Sequence, residues 1–280
     1  MAGKSLSDFE GAHGQPKITA LERSLEVERR KVEALSGVQN KVHVEKSKEC
    51  LLRFGIIGDL HIGSLYAHDG ALEGYFDYLE SLGIDDCYVT GDVLDGHKIY
   101  RGQEFEVRDV GLEAQLERFG SLRLSSKVRV SFITGNHDSS FKNLCGVSVG
   151  KELEERREGW KFLGEDQARI RYETPNGPYE IMLLHPGGGS SYAVSYRAQK
   201  IAESIEGGLK PQMLCIGHYH KAEMIPSYRN ICICQSGTFC RQTPFMARQG
   251  LAAHVGGWVF EVRVGEDHNA INGQFVAVYK

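Results

Sequence analysis

From Leu51 onward, short apolar runs alternate with stretches whose apolar residues recur at helical spacing, and this alternation predicts an α/β fold. Residues 51–57, 87–90, 128–134, 179–184 and 213–216 are dominated by Val, Ile, Leu, Phe, Met and Cys, the pattern of buried strands. Between the first two, Leu72, Tyr75, Phe76, Leu79 and Leu82 fall on one helical face. Residues 103–119 and 195–205 are further helix candidates. After Cys215 the runs 231–234, 258–264 and 274–278 alternate without clear helices between them. Together these elements predict mixed sheets sandwiched by helices, with functional residues at the carboxyl ends of strands, where α/β folds place ligands.

The part before Leu51 reads differently. Residues 1–16 are small, polar and Gly-containing and are expected to be disordered. Residues 17–49 are read as an amino-terminal helix and linker: Thr19 and Glu22 match a capping box, and Leu21, Leu25, Val32 and Leu35 fall near one face before Gly37. That apolar face could pack on the remaining domain, residues 50–280, or pair with a second copy to make a homo-oligomer. No stretch approaches the roughly 20 apolar residues that cross a bilayer, and no apolar run follows Met1, so no membrane partner is expected. A soluble, cytoplasmic protein is predicted, in the host cytoplasm if the chain is viral.

Composition narrows this only slightly. At 280 residues and 41% hydrophobic, the chain can bury a sizeable core. A formal net charge of -4 gives no global signature of a nucleic-acid binder, but bound cations would set the local field that a phosphate meets. The cysteines at 50, 87, 145, 215, 232, 234 and 240 are odd in number and set among aliphatic residues, which suits reduced buried thiols better than disulfides. Cys232 and Cys234 sit at strand spacing with no second pair following, so they read as packing residues and not as a soft-metal site.

Chemistry concentrates at the strand ends. The first strand ends in Gly58-Asp59-Leu60-His61, the second in Gly91-Asp92-Val93-Leu94-Asp95, and the third in Gly135-Asn136-His137-Asp138. The next two end in His185 and in Gly217-His218-Tyr219-His220. A buried strand that terminates in a carboxylate must satisfy that charge, and a metal ion does so well. Each fragment alone is an ordinary turn or a hydrogen-bonded His. All five in order, each closing an apolar run, are not explained that way.

The ordered set Asp-x-His, Gly-Asp, Gly-Asn-His-Asp, lone His and Gly-His-x-His resembles the calcineurin-like metallophosphoesterase superfamily over residues 52 to about 240. The resemblance implies an α/β, four-layer α-β-β-α sandwich of two mixed sheets with flanking helices. It implies two divalent metal ions, with Asp59, His61 and His220 holding one, Asn136, His185 and His218 the other, and Asp92 bridging them. Mn²⁺ is the favoured metal, and Fe, Zn²⁺ or Ni²⁺ also suit mixed N/O ligation. By the same resemblance, a metal-bridging hydroxide attacks the phosphorus, His137 protonates the leaving oxygen or stabilises the transition state, and Asp138 orients the His137 ring.

Within the superfamily, Gly91-Asp-Val-Leu-Asp-Gly96 followed by Tyr100-Arg-Gly-Gln-Glu104 looks like the exonuclease small subunit of the archaeal family-D polymerase. A phosphodiester substrate, with nucleic acid as the expected partner, follows. Tyr100, Arg101, Tyr192 and Arg197 are candidate substrate contacts, since cations beside aromatic faces suit a single strand. The loop 187–191, Gly-Gly-Gly-Ser-Ser, could let a phosphate approach backbone N–H groups. The alternatives are a small-molecule phosphodiesterase, including one for cyclic nucleotides, a phosphomonoesterase or phosphoprotein phosphatase, and a non-catalytic binding module.

Overall fold

The computed structural model describes residues 42–278, so the readings of residues 1–16 and of the helix near residues 19–36 lie outside the described residues. Two six-stranded sheets make up the fold. The first contains β2 (Leu51–Ile57), β3 (Asp86–Thr90), β4 (Arg129–Thr134), β5 (Trp160–Glu165), β11 (Gly256–Val264) and β12 (Asn269–Ala277) in the order β12-β11-β2-β3-β4-β5. β2 to β5 run parallel, and β11 joins β2 antiparallel. The second sheet contains β1 (Val42–Lys46), β6 (Gln167–Thr174), β7 (Gly177–Leu184), β8 (Met213–Ile216), β9 (Ala222–Tyr228) and β10 (Ile231–Ser236) in the order β1-β6-β7-β8-β10-β9, also with mixed pairings.

The period-two alternation of the strands sorts their side chains into layers. Phe54, Ile56, Tyr88, Ile133 and Phe260 of the first sheet face Ile170, Tyr179, Ile181, Leu183 and Cys215 of the second in one apolar cluster. On the outer side of the first sheet, Ile57, Val89, Val130 and Phe132 pack against four helices. These are α1 (Asp69–Ser81, through Leu72, Phe76 and Leu79), α2 (Leu112–Ser121, through Leu116 and Phe119), α3 (Asn136–Cys145, through Phe141) and α4 (Val149–Arg156, through Leu153). Beyond the second sheet, Ala198 and Ala202 of α5 (Tyr196–Ser204) cover Leu214, Ile216 and Ile233. The result is the α/β arrangement of two mixed sheets with flanking helices that the resemblance implies.

Three local features differ from the sequence expectation. The stretch 103–119 is not one helix: a single 3-10 turn at Gln103–Phe105 is followed by irregular chain, and α2 begins only after Gly111. A short helix, α6 (Pro244–Arg248), interrupts the strands after β10, started by Thr243, whose side chain accepts from Met246 N–H, and by Pro244. Residues 42–46, within the segment read as helix and linker, form the edge strand β1 parallel to β6. Cys232 and Cys234 both face the inter-sheet core while Ile231 and Ile233 face α5, and all seven thiols are free.

Candidate metal centre

Every candidate ligand sits just past a strand end. Asp59 and His61 follow β2, Asp92 follows β3, Asn136 opens α3 after β4, His185 follows β7, and His218 and His220 follow β8. Asp59, Asp92 and Asn136 therefore come from one sheet and His185, His218 and His220 from the other. Nine non-glycine residues among those described have positive φ, and five of them are candidate ligands: Asp59 at 52°, His61 at 47°, Asp92 at 51°, His218 at 78° and His220 at 54°. A left-handed conformation costs a non-glycine residue about 1–2 kcal/mol. Strain collected in this way at one cluster marks a site that the surrounding fold over-determines.

The side chains converge. Asp59 with His61 and His220, His61 with Asp92 and His137, and Asp92 with His185 and His218 form three groups whose ligand atoms lie within 4.8 Å of one another. Asp92 belongs to two of these groups and stands between them. Its Oδ2 lies 3.1 Å from His185 Nε2, and the same nitrogen lies 3.1 Å from Asn136 Oδ1. His61 Nε2 and His220 Nε2 face each other at 2.9 Å, and His220 Nε2 is 3.7 Å from Asp59 Oδ1. Two imidazole nitrogens that close, next to a buried carboxylate, have no mutual partner as good as a shared cation. His220 Nδ1 is also buried without a hydrogen bond. The donor set, N and O from imidazole, carboxylate and amide, fits borderline divalent transition metals.

Backbone carbonyls set the tautomers. His185 Nδ1 lies 2.8 Å from Thr90 O, His137 Nδ1 lies 2.6 Å from Asp95 O, and His218 Nε2 lies 2.7 Å from Gly188 O. A carbonyl only accepts, so each of these nitrogens carries the proton and donates it. The opposite nitrogen, Nε2 of His185, Nε2 of His137 and Nδ1 of His218, is the one left to give up a proton or to offer a lone pair. Fixing of this kind is what ligating histidines require of their surroundings.

Burial and neighbouring charge shift the ionisable groups in opposite directions. Burial holds His61 down to about 3 and His220 well below the usual imidazole range, and it lowers His218 as well, each with help from neighbouring histidines. Burial also opposes charge on His185, but Asp92 and Asp59 outweigh it and push the imidazole up to about 10. Asp92 is the reciprocal case: burial resists its ionisation, yet the His185 and His137 rings hold it well below the carboxylate range. Burial, with Asp92 close by, drives Asp59 well above that range.

The structure places one expected residue differently. Asp138 does not touch the His137 ring. Its carboxylate is fully buried and accepts from the backbone N–H groups of Val93, Leu94 and Gly135 at 3.2, 2.9 and 2.9 Å, so it ties the loop after β3 to the start of α3. The His137 ring is held instead by the Asp95 carbonyl. Asp95 also brings Oδ1 to 3.4 Å from His61 Nδ1, and Gln103 Nε2 donates to the Asp95 carbonyl at 2.7 Å. Neither Asp95 nor Gln103 was assigned a role from sequence. Asp95 lies in the motif Gly91-Asp-Val-Leu-Asp-Gly96, and a second carboxylate three residues after the first was the available signal.

The four expected substrate contacts separate. Tyr100 is half-buried, donates to Glu106 Oε2 at 2.7 Å and stacks on Phe245 at 4.4 Å between ring centroids, so it is a packing residue of the loop wall. Arg101 is exposed, and Tyr192 is fully exposed at 106%. The Arg197 guanidinium is engaged within the chain, donating from Nε to Tyr219 Oη and from one terminal nitrogen to Gly187 O, both at 3.1 Å. A cleft of about 690 Å³ opens at the opposite ends of the strands, lined by residues such as Arg53, Asp86, Tyr88 and Arg129, and contains none of the candidate ligands.

Facing mixed sheets that present carboxylates, an amide and imidazoles at one shared end are consistent with a site for two metal ions. The chain belongs to the calcineurin-like phosphoesterase family, whose sequence profile matches residues 52–222. Over 110 residues it is 34% identical to the DNA polymerase II small subunit of Methanothermobacter thermautotrophicus, a match that takes in 34% of this chain and 22% of that protein. Among solved structures it is similar to GAP50, the anchor in the inner membrane complex of Plasmodium, with a TM-score of 0.51 and 12% identity over 82% of this chain and 85% of that one. Vps29 of Chaetomium thermophilum aligns over 82% of this chain and 97% of its own with a TM-score of 0.40 and 14% identity. No described helix is long and apolar enough to cross a membrane.

Proposed function

We propose that this metallophosphoesterase hydrolyses phosphodiester bonds in nucleic acid, as a nuclease acting on DNA or RNA ends. The observation that carries the reading is the 34% identity to a DNA polymerase small subunit. Exposed aromatic and apolar side chains on the segments that follow the metal-bearing strands support it: Leu65, Phe105, Tyr192 and Tyr196, the last opening α5, are all at least half exposed. Unpaired bases stack on such faces without regard to sequence.

The residues divide the work. When bound, two divalent ions would activate water and neutralise phosphate charge, with Mn²⁺ favoured and Fe, Zn²⁺ or Ni²⁺ compatible. Asp59, His61 and His220 would hold one, Asn136, His185 and His218 the other, and Asp92 both. His137 has its backbone N–H on Asp92 Oδ1 at 2.9 Å and its Nδ1–H on Asp95 O, so its Nε2 is held in place beside His61, ring centroids 4.4 Å apart, ready to exchange a proton with the leaving oxygen. Asp95, itself held by Gln103, meets the His61 and His137 rings from behind.

The test loads metal-stripped protein with Mn²⁺ and compares wild type with Asp92→Asn and His137→Ala on an end-labelled single-stranded oligonucleotide, bis-p-nitrophenyl phosphate and p-nitrophenyl phosphate. Oligonucleotide cleavage is expected, falling at least about 100-fold in His137→Ala if the ring is the general acid and becoming undetectable in Asp92→Asn. Turnover of either small ester with an intact oligonucleotide would replace the nuclease reading with a small-substrate esterase.

A further inference from the structure

We propose that Arg197 positions His218 for metal binding and does so through the glycine loop 187–189, instead of contacting substrate. The guanidinium has two directional contacts: Nε–H to Tyr219 Oη at 3.1 Å and a terminal N–H to Gly187 O at 3.1 Å. Its carbon also lies 5.7 Å from the centroid of the Tyr219 ring, over its face. Tyr219 stands between the two histidines of the Gly-His-x-His turn and packs edge-on against His218, ring centroids 5.2 Å apart. The next carbonyl along the loop, Gly188 O, receives the His218 Nε2 proton at 2.7 Å. Successive carbonyls of one loop are thus gripped by Arg197 and by the ligand histidine.

The local backbone requires glycine for this. Gly188 has φ of 91°, and a Cβ there would come within 2.8 Å of the Arg197 guanidinium. Two successive carbonyls of the glycine run are thereby committed, Gly187 O to the Arg197 guanidinium and Gly188 O to the His218 ring. A mobile Gly188 carbonyl would let His218 rotate or take the other tautomer, and Nδ1 would no longer be the nitrogen that keeps the lone pair. A planar guanidinium suits the task because it meets two acceptors at fixed angles, which a lysine ammonium does not. The proposal rests on His218 being a metal ligand and is independent of the nucleic-acid substrate.

Metal-stripped protein titrated with Mn²⁺ by calorimetry, with bound metal counted after dialysis, tests it. Wild type is expected to take up two ions per chain. Arg197→Ala should keep one ion at wild-type affinity and weaken the other by roughly 10- to 100-fold, the usual effect of losing a group that orients a ligand. Arg197→Lys should fall between the two, and Gly188→Ala, which keeps the arginine but strains the loop and crowds its guanidinium, should weaken the same ion. The absorption spectrum of Co²⁺-loaded protein should change in the same variants, while circular dichroism checks that each is folded. Two ions at wild-type affinity in both Arg197→Ala and Gly188→Ala, with only KM for the oligonucleotide raised, would overturn the proposal and make Arg197 a substrate contact. Fewer than two ions in wild type would overturn the dinuclear site itself, and the proposal with it.

Discussion

An imidazole binds a metal ion only through a nitrogen that has lost its proton, and burial sets how readily each ring of this centre does so. His61, His218 and His220, all lowered by burial, are neutral at pH 7 and offer a lone pair without prior deprotonation. His185 is different. Asp92 first, then Asp59, hold its imidazolium up to about 10 against burial. An arriving dication takes the place of the extra imidazolium proton, because it supplies the positive charge that Asp92 otherwise draws from His185. The sign follows: binding releases protons from groups whose metal-free pKa lies high, so affinity rises as pH rises through neutrality. Calorimetry at pH 7.5 in two buffers of different ionisation enthalpy should show release of about one proton per chain, from His185. Identical heats in both buffers would mean that His185 is already deprotonated and would refute this account.

At the level of elements, what aligns the loops is Asp138. Its carboxylate collects N–H groups from two segments, Val93 and Leu94 after β3 and Gly135 after β4, so Asp92 and the Asn136-His137 pair are placed by one buried clamp. Asp138→Ala leaves three buried donors unpaired at about 1–3 kcal/mol each. With partial relaxation, destabilisation of the order of 3–5 kcal/mol is expected in urea unfolding; a loss under about 1 kcal/mol would show that water replaces the carboxylate easily. This clamp also shows where sequence reading stops. The ligands were legible because each closes an apolar run, and β2 and β8 have the boundaries their apolar runs predict. The partner of Asp138 was not, since nothing in Gly-Asn-His-Asp says which backbone a carboxylate will meet. β6 went unread because Arg169 and Arg171 alternate with its buried Ile170 and Tyr172, and α4 because only Val149, Gly150 and Leu153 of its eight residues are buried. Such elements owe their form to tertiary packing that local pattern does not carry.

Across the whole molecule, the centre joins two sheets that also meet through apolar packing and through polar contacts such as Trp258 Nε1–H to Gln235 O at 2.9 Å and Thr90 Oγ1 to Ser236 Oγ at 2.9 Å. Asp59, Asp92 and Asn136 arrive on β2, β3 and β4, while His185, His218 and His220 arrive on β7 and β8. The few polar ties across this gap include the His218 N–H to both Asp59 oxygens at 2.9 Å and the His185 contacts to Thr90 O and Asp92. At the amino ends of β2, β3 and β4 lies the 690 Å³ cleft, lined from the second sheet by residues of β1 and β6. Metal ions at the ligand end would therefore act as cross-links between sheets. Each ion at a free concentration 100 times its dissociation constant adds about 2.7 kcal/mol to folding, which for a domain of this size raises Tm by roughly 5–10 °C. Chelation should reverse the gain. Hydrogen exchange separates a cross-link from a local effect: Mn²⁺ should slow exchange at the carboxyl ends of β2 and β3 and of β7 and β8 together, and leave β1 unchanged. Protection confined to one sheet would mean that the ions bind without joining the halves, and the Tm gain would then have to be assigned to that sheet alone.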